Sequence, residues 1–202
     1  MFNINITVSD QGKDASELLR KATEYKDKGK INDAINTLRK AYKEIAKTNI
    51  DYPIETFLRL PLYLQTAGQT KEAWEEFNKL LKNGYPNQNK CKEIVPMVES
   101  TIYDKMRLFL QRQKEYDKAI SYGIYSILSH ALGLYNQKRI EELKSYTDNE
   151  FITDKIATLL KKAKKLDLLE NVVKITRMEL NKLPNISFEY FSEKVEALLY
   201  KF

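Results

Sequence analysis

The sequence predicts an all-α fold built of antiparallel helix hairpins. Three observations carry this expectation. Apolar residues recur at spacings of three and four along most of the chain, the period of one buried helix face. Glycine (6) and proline (5) are scarce among the 202 residues, too few for the turn every ~8–12 residues that a β-sandwich or barrel needs. The 43% of hydrophobic residues, rich in Leu, Ile, Phe and Tyr, is enough to build a core, so disorder is not the expected main state.

Taken in order, residues 3–8 (Asn-Ile-Asn-Ile-Thr-Val) alternate polar and apolar side chains and read as a strand without a partner. Residues 1–13 are therefore expected to form an extended N-terminal arm. The turn-forming run Ser9-Asp10-Gln11-Gly12 precedes a helix that starts near Asp14. Leu18, Leu19, Ala22 and Tyr25 give its buried stripe, and Gly29 ends it. Ala34, Ile35, Leu38, Ala41, Tyr42 and Ile45 give the stripe of the next helix, so residues 15–50 read as a first hairpin. The segment Asn49 to Pro53 interrupts it, since proline disfavours helix in the residue before it and donates no hydrogen bond.

The pattern then returns. Phe57, Leu58, Leu60 and Leu64 lead to Gly68. Ala73, Trp74, Phe77, Leu80 and Leu81 follow, and Asn83-Gly84-Tyr85-Pro86 stops the helix, giving a second unit over 54–86. A third unit over 94–135 carries Ile102, Tyr103, Met106 and Leu110. It continues in an unusually apolar helix through Tyr125, Leu128, Leu132 and Tyr135. Ile156, Leu159, Leu160 and Ala163, with a second helix over 168–183, make a fourth unit over 152–183. Pro184-Asn185 breaks the chain again. Ser187 then caps a last helix over 187–202 with Phe188, Phe191, Val195, Leu198, Leu199 and Phe202 on its apolar face. About eight helices and no sheet are expected, in a single domain over 14–202.

Few residues carry chemistry. A lone cysteine, Cys91, excludes an internal disulfide framework and a cysteine-based zinc site, and fits a reducing, cytoplasmic setting. It reads as an exposed loop thiol despite its neighbours Lys90 and Lys92. The single histidine, His130, lies among Leu128, Ala131 and Leu132 and reads as a buried or half-buried helix residue rather than a base. No phosphate-binding glycine loop is present, and Glu75-Glu76 and Glu141-Glu142 read as solvated helix charge. No catalytic residue, metal ligand or cofactor is expected, and the chain is not read as an enzyme. Residues 1–8 do not read as a secretory signal, and the most apolar run, 122–135, reads as a core helix rather than a membrane span.

The net charge of +6 is a modest excess that permits weak attraction to nucleic acid or acidic partners. It is sharpest in Lys161, Lys162, Lys164 and Lys165, with Lys155 nearby. Two readings of this run stand: a contact for a phosphate backbone or acidic partner, and a solvated helix end favoured by the helix dipole. The 13 tyrosines include Tyr25, Tyr42, Tyr103 and Tyr125 within apolar stripes, which suits core packing better than base stacking.

A weak internal repeat links the units. Gly29 precedes Ala34 by five residues, Gly68 precedes Ala73 by five, and Lys114 precedes Ala119 by five without the glycine. The turn favours a residue that tolerates an unusual backbone, and the alanine lets the neighbouring helix approach. With Leu18, Ala22, Tyr25, Leu38 and Ala41 in the first unit, Phe57, Leu60, Leu64, Phe77, Leu80 and Pro86 in the second, and Tyr103, Met106, Leu110 and Tyr116 in the third, this resembles the tetratricopeptide repeat, a helix–turn–helix unit of about 34 residues. The chain departs from that pattern at Lys21, Pro61, Gly123 and Ser126. Its intervals are also longer, at 39 residues from Gly29 to Gly68 and 46 from Ala73 to Ala119.

The resemblance implies a short superhelix (an α-solenoid) of stacked hairpins closed by the last helix as a cap. It further implies a concave groove that binds a peptide or partner helix, as a non-enzymatic scaffold. The family's groove positions fall on Leu19, Thr23 and Lys26, on Leu58, Leu62 and Gln65, and on Asp104, Leu108 and Gln111. Arg59 lies beside them, and with Lys26 would hold a carboxylate, while Leu58, Leu62 and Leu108 would seat apolar side chains. The expected partner is thus a protein or peptide with apolar and acidic parts. A nucleic-acid-associated role through the basic helix is the alternative, no membrane partner is expected, and the apolar last helix allows self-association as well as capping.

Overall fold

The periodic stripes form helices in a computed structural model that describes residues 12–200. The chain divides into two units, residues 1–88 and 89–202, meeting in the loop after the second predicted pair of helices. The first unit holds α1 (Lys13–Asp27), α2 (Ile31–Ile45), α3 (Ile54–Thr66) and α4 (Thr70–Asn83). The second holds α5 (Val95–Arg112), α6 (Tyr116–Asn136), α7 (Ile140–Tyr146), α8 (Asn149–Ala163), α9 (Leu169–Leu180) and α10 (Phe188–Leu199), with a 3-10 turn at Leu166–Leu168. Among the described residues there is no strand. The strand-like stretch at 3–8 and nearly all of the expected arm lie outside the described residues. Lys13, assigned to that arm, instead opens α1. Among the described residues ten helices replace the expected eight or so, and the clearest addition is the seven-residue α7, whose residues are none of them fully buried.

One turn geometry recurs between consecutive helices. Gly29, Gly68, Lys114 and Lys138 all take the left-handed conformation, with φ of 74°, 78°, 63° and 57°. In each case the next N–H reaches back to the last turn of the preceding helix. Lys30 donates to the Tyr25 carbonyl at 2.8 Å, Gln69 to Leu64 at 2.9 Å, and Glu115 to Leu110 and Arg139 to Leu134 at 3.0 Å. These bonds satisfy carbonyls that a helix end leaves unpaired. The same four residues open the following helix with ψ of 59–66°, and their carbonyls accept from Ala34, Ala73, Ala119 and Leu143. The glycine-to-alanine spacing of the sequence is thus one device used four times, twice with lysine carrying the left-handed residue.

Lysine has a Cβ and is disfavoured in that conformation, whereas glycine is not. A Cβ added at Gly68 meets no atom within 4 Å, so its substitution is penalised by backbone conformation alone. Gly68→Ala is therefore expected to cost about 1 kcal/mol, and Lys114→Gly to stabilise by up to about 1 kcal/mol. Urea midpoints of the two variants, moving in opposite directions from the wild type, check this.

In the first unit α1 packs on α2, α2 on α3 and α3 on α4, around Ala22, Leu38, Ala41, Ile45, Leu64 and Phe77, all fully buried. Pro61 sits inside α3, where it lacks the N–H that would bond the Phe57 carbonyl. Tyr42 of α2 fills that gap: its hydroxyl donates to the carbonyls of Thr56 at 2.6 Å and Phe57 at 3.3 Å. Burial pushes the Tyr42 phenol well above its ordinary range, with Arg59 acting against that rise.

In the second unit α6 is the central element, packed by α5, α7, α8, α9 and α10. Its seam with α5 is made of small residues. Ser100 donates to the Ser126 carbonyl at 2.8 Å and Ser126 returns a bond to the Ser100 carbonyl at 2.9 Å, which holds the two backbones close. A Cβ at Gly133 would lie 2.5 Å from Met97 Sδ, so glycine is what admits α5 there. The helix α10 covers α6 and α9 and buries Phe191, Val195 and Leu199. Phe202, assigned to the same face, lies outside the described residues.

Candidate functional site

The expected groove residues fall in both units, and each unit is taken by itself. In the first, Leu19, Thr23 and Lys26 of α1 and Arg59, Leu62 and Gln65 of α3 are exposed or half-buried. Arg59 joins the two helices, its Nη2 donating to the Leu19 carbonyl at 3.0 Å and to Thr23 Oγ1 at 2.8 Å. Its guanidinium also lies 5.6 Å from the Tyr63 ring centre. All these partners are neutral. Lys26 lies 3.3 Å from its neighbour Asp27 and touches none of the others. Leu58 is a correction. It is 1% exposed and belongs to the core, because it shares the buried side of α3 with Phe57 and Pro61. It offers no surface to a ligand.

In the second unit the geometry makes a cleft of about 450 Å³. Its floor is α6, at Gly123, Ser126 and Ile127. One wall is α5, with Asp104 and Arg107. The other is α8, with Phe151, Asp154, Lys155, Thr158 and Leu159, and Tyr146 of α7 completes the lining. Gly123 is what lets the walls meet the floor, since a Cβ there would come within 2.6 Å of Leu159 and 3.0 Å of Arg107. Residues 104, 107 and 111 follow one face of α5 at helical spacing, and 155 and 162 follow one face of α8. Arg107 donates to Asp104 at 2.6 Å and to Gln111 Oε1 at 3.3 Å. From the opposite wall Lys162 reaches the same Gln111 oxygen at 3.1 Å. Asp104 from the groove reading and Lys155 from the basic run thus line one cleft. Leu108, half-buried on α5, is not among the lining residues.

The charges in the cleft are unevenly spent. Arg107 and Asp104 neutralise each other. Lys155 stands 5.1 Å from the Phe151 ring centre and makes no ion pair among the described residues, and neither does Asp154 beside it. Burial pushes the Tyr146 phenol far up, with the Asp104 charge adding to the rise. The rest of the basic run lies at the end of α8. Lys161 and Lys162 lie in the last turn of α8, and Lys164 takes the left-handed position after it, all three exposed. Lys165 turns inward, 2.9 Å from Asp117, and also donates to the Leu199 carbonyl. Lys165 thus leaves the run, while Lys155, Lys161, Lys162 and Lys164 are exposed.

His130 is half-buried, its ring stacked on Tyr146 with centres 4.3 Å apart. Burial first, then Arg139 and Lys155, hold its pKa below the usual 6.5. The unfolded chain keeps the ordinary value, so it binds more protons than the folded one below about pH 6.5. This part of the stability is present above that pH and is lost as pH falls through the window toward the folded value. Urea midpoints near pH 7.5 and pH 5.5 are expected to show a fall on acidification that His130→Gln reduces. Cys91 lies in a loop as expected but is half-buried rather than exposed.

Sequence reasoning did not single out Arg107, Tyr146 or Phe151. Arg107 stands three residues after Asp104, which was a usable signal for a same-face pair. Tyr146 and Phe151 flank the turn between α7 and α8, where no apolar stripe marks the chain. Among the described residues no group of three or more His, Cys, Asp or Glu side chains is placed to hold a metal ion, and no helix is long and apolar enough to cross a membrane. No protein-family model matches the chain, and neither the curated proteins nor the solved structures contain one that is significantly similar to it.

Proposed function

We propose that this chain is a non-enzymatic interaction scaffold of the tetratricopeptide-like kind, acting in the cytoplasm, and that the cleft between α5 and α8 takes a peptide segment of its partner. The observation that carries this reading is the composition of the cleft. An apolar patch of Ile127, Phe151 and Leu159 lies beside Lys155 and Asp154, neither of which has an ion-pair partner among the described residues, in about 450 Å³. That volume falls in the range of sites that seat a side chain or small ligand, roughly 300–1,000 Å³. An apolar anchor would fill the patch, and an acidic neighbour would reach Lys155. This matches the mixed apolar and acidic peptide expected from the groove positions.

The reading is tested by selecting a random peptide library on the full chain and counter-selecting on Thr158→Arg, which puts a long side chain at the exposed rim of the cleft. Peptides that share an apolar residue next to an acid, and that fail to bind Thr158→Arg, are the expected result. Peptides that bind the variant equally well would remove the cleft from the account. Binding to random single-stranded nucleic acid that falls steeply with added salt, with no peptide motif emerging, would favour the basic helix instead.

A further inference from the structure

A second cavity in the second unit shares no residue with the cleft. It has a volume of about 350 Å³ and lies where Tyr135 at the end of α6, Leu143 and Thr147 of the α7 region, and Arg177, Leu180 and Asn181 of the α9 region come together. Arg177 sets its character. The arginine is half-buried, and its Nε is shut off from solvent with no hydrogen-bond acceptor. Its guanidinium makes no ion pair among the described residues. The nearest acid in sequence, Glu179, is itself fully buried and is held by Lys182 and by the Ser187 N–H.

That nitrogen is closed to a ligand oxygen for the same reason, so the guanidinium offers the cavity its two outer nitrogens, and arginine stays charged at any accessible pH. The cavity lining supplies no carboxylate to answer it. What it does supply is two further polar residues, Tyr135 and Asn181, and three leucines, Leu143, Leu180 and Leu183. The Thr147 hydroxyl is turned away, donating to the Leu143 carbonyl at 2.8 Å. A planar fork with one positive charge matches a carboxylate, which it can hold through two parallel bonds. A phosphate would need more donors and charge than one arginine gives. The leucines require the remainder of the ligand to be apolar.

We infer that this cavity is a binding site for a carboxylate carried on a small apolar body, with Arg177 as the fork that holds it. The carboxylate has two natural sources, a free small acid and the C-terminal end of a peptide. Both place the same two oxygens against Arg177. The site is independent of the cleft and of the scaffold reading.

Calorimetric titration of the full chain tests it with phenylacetate as the free acid and N-acetyl-alanyl-leucine as the chain end. Phenylacetamide serves as the neutral look-alike and inorganic phosphate as the bare anion. Saturable binding of at least one carboxylate, with a dissociation constant below about 1 mM, is expected. Phenylacetamide and phosphate are expected to bind at least tenfold more weakly, and the tighter of the two carboxylates names the source. Arg177→Met should abolish the binding and Arg177→Lys should weaken it, while Thr158→Arg leaves it unchanged. The inference is overturned if neither carboxylate saturates, if phenylacetamide binds as well as phenylacetate, or if a folded Arg177→Met retains the affinity. The comparison of acid with amide is made on the wild type, so it decides the matter even if Arg177→Met fails to fold.

Discussion

Phe191→Ala will lower the stability of the second unit by about 3–5 kcal/mol, the usual cost of emptying a buried aromatic site. The side chain is fully buried in α10 and sits among Ile124, Leu128, Val172 and Val195 in one apolar cluster. Its ring also meets Tyr125 edge-on, with centres 6.0 Å apart, so the loss includes an aromatic contact as well as transferred area. The residue stands on a helix near the end of the described chain, where a loosely attached segment would tolerate the change. Urea denaturation followed by circular dichroism checks the value. Glu193→Ala, exposed on the same helix, is the control and should change stability by less than about 0.5 kcal/mol. A loss below about 1 kcal/mol for Phe191→Ala would mean that α10 is not part of this core.

The second large effect belongs to a buried charge. Glu179 is fully buried, and its carboxylate accepts from Lys182 Nζ and, at 3.2 Å, from the Ser187 N–H. Taking away one partner of such a pair leaves a charge without compensation, which costs more than the pair was worth. Lys182 keeps 43% of its side chain in water, so the full penalty of a wholly buried pair is not reached. Lys182→Met is expected to cost about 2–3 kcal/mol. Replacing both residues by methionine should recover part of that loss, because the unpaired carboxylate disappears with its partner. A double variant less stable than the sum of the two single changes would contradict this account of the pair.

The helices of the first unit were legible because their stripes are long and their turns are marked by glycine. Gly29 and Gly68 announce the left-handed residue directly. Lys114 and Lys138 adopt the same conformation without announcing it, so the third turn was visible only through the spacing to Ala119 and the fourth was not seen. Helix α7 escaped for a related reason: seven residues give barely two turns, and none of them is buried enough to impose a stripe. Leu58 shows the limit of carrying positions over from a resemblance. Pro61, one of the departures from the repeat pattern, stands on the same buried side of α3, and the position expected to face a ligand lies in the core.

The cleft was half visible. Asp104 came from the groove positions and Lys155 from the run of lysines, and nothing in sequence joined them. What joins them is Gly123 in the floor, where the absent Cβ admits Leu159 from one wall and Arg107 from the other. Gly123 and Ser126 were noted as departures from the family pattern, and both turn out to line the cleft. Arg177 is not singled out by any pattern in the sequence. Its importance lies in a guanidinium without an ion-pair partner among the described residues, in a cavity lined by no carboxylate, and that placement leaves no trace in spacing.

Hydrogen–deuterium exchange of the full chain, with and without a peptide selected on it, tests the interaction account most directly. The account predicts slowed exchange in the walls of the cleft, around residues 104–107 of α5 and 151–159 of α8, and loss of that protection in Thr158→Arg. Protection confined to residues 161–165, or to the first unit, would contradict it.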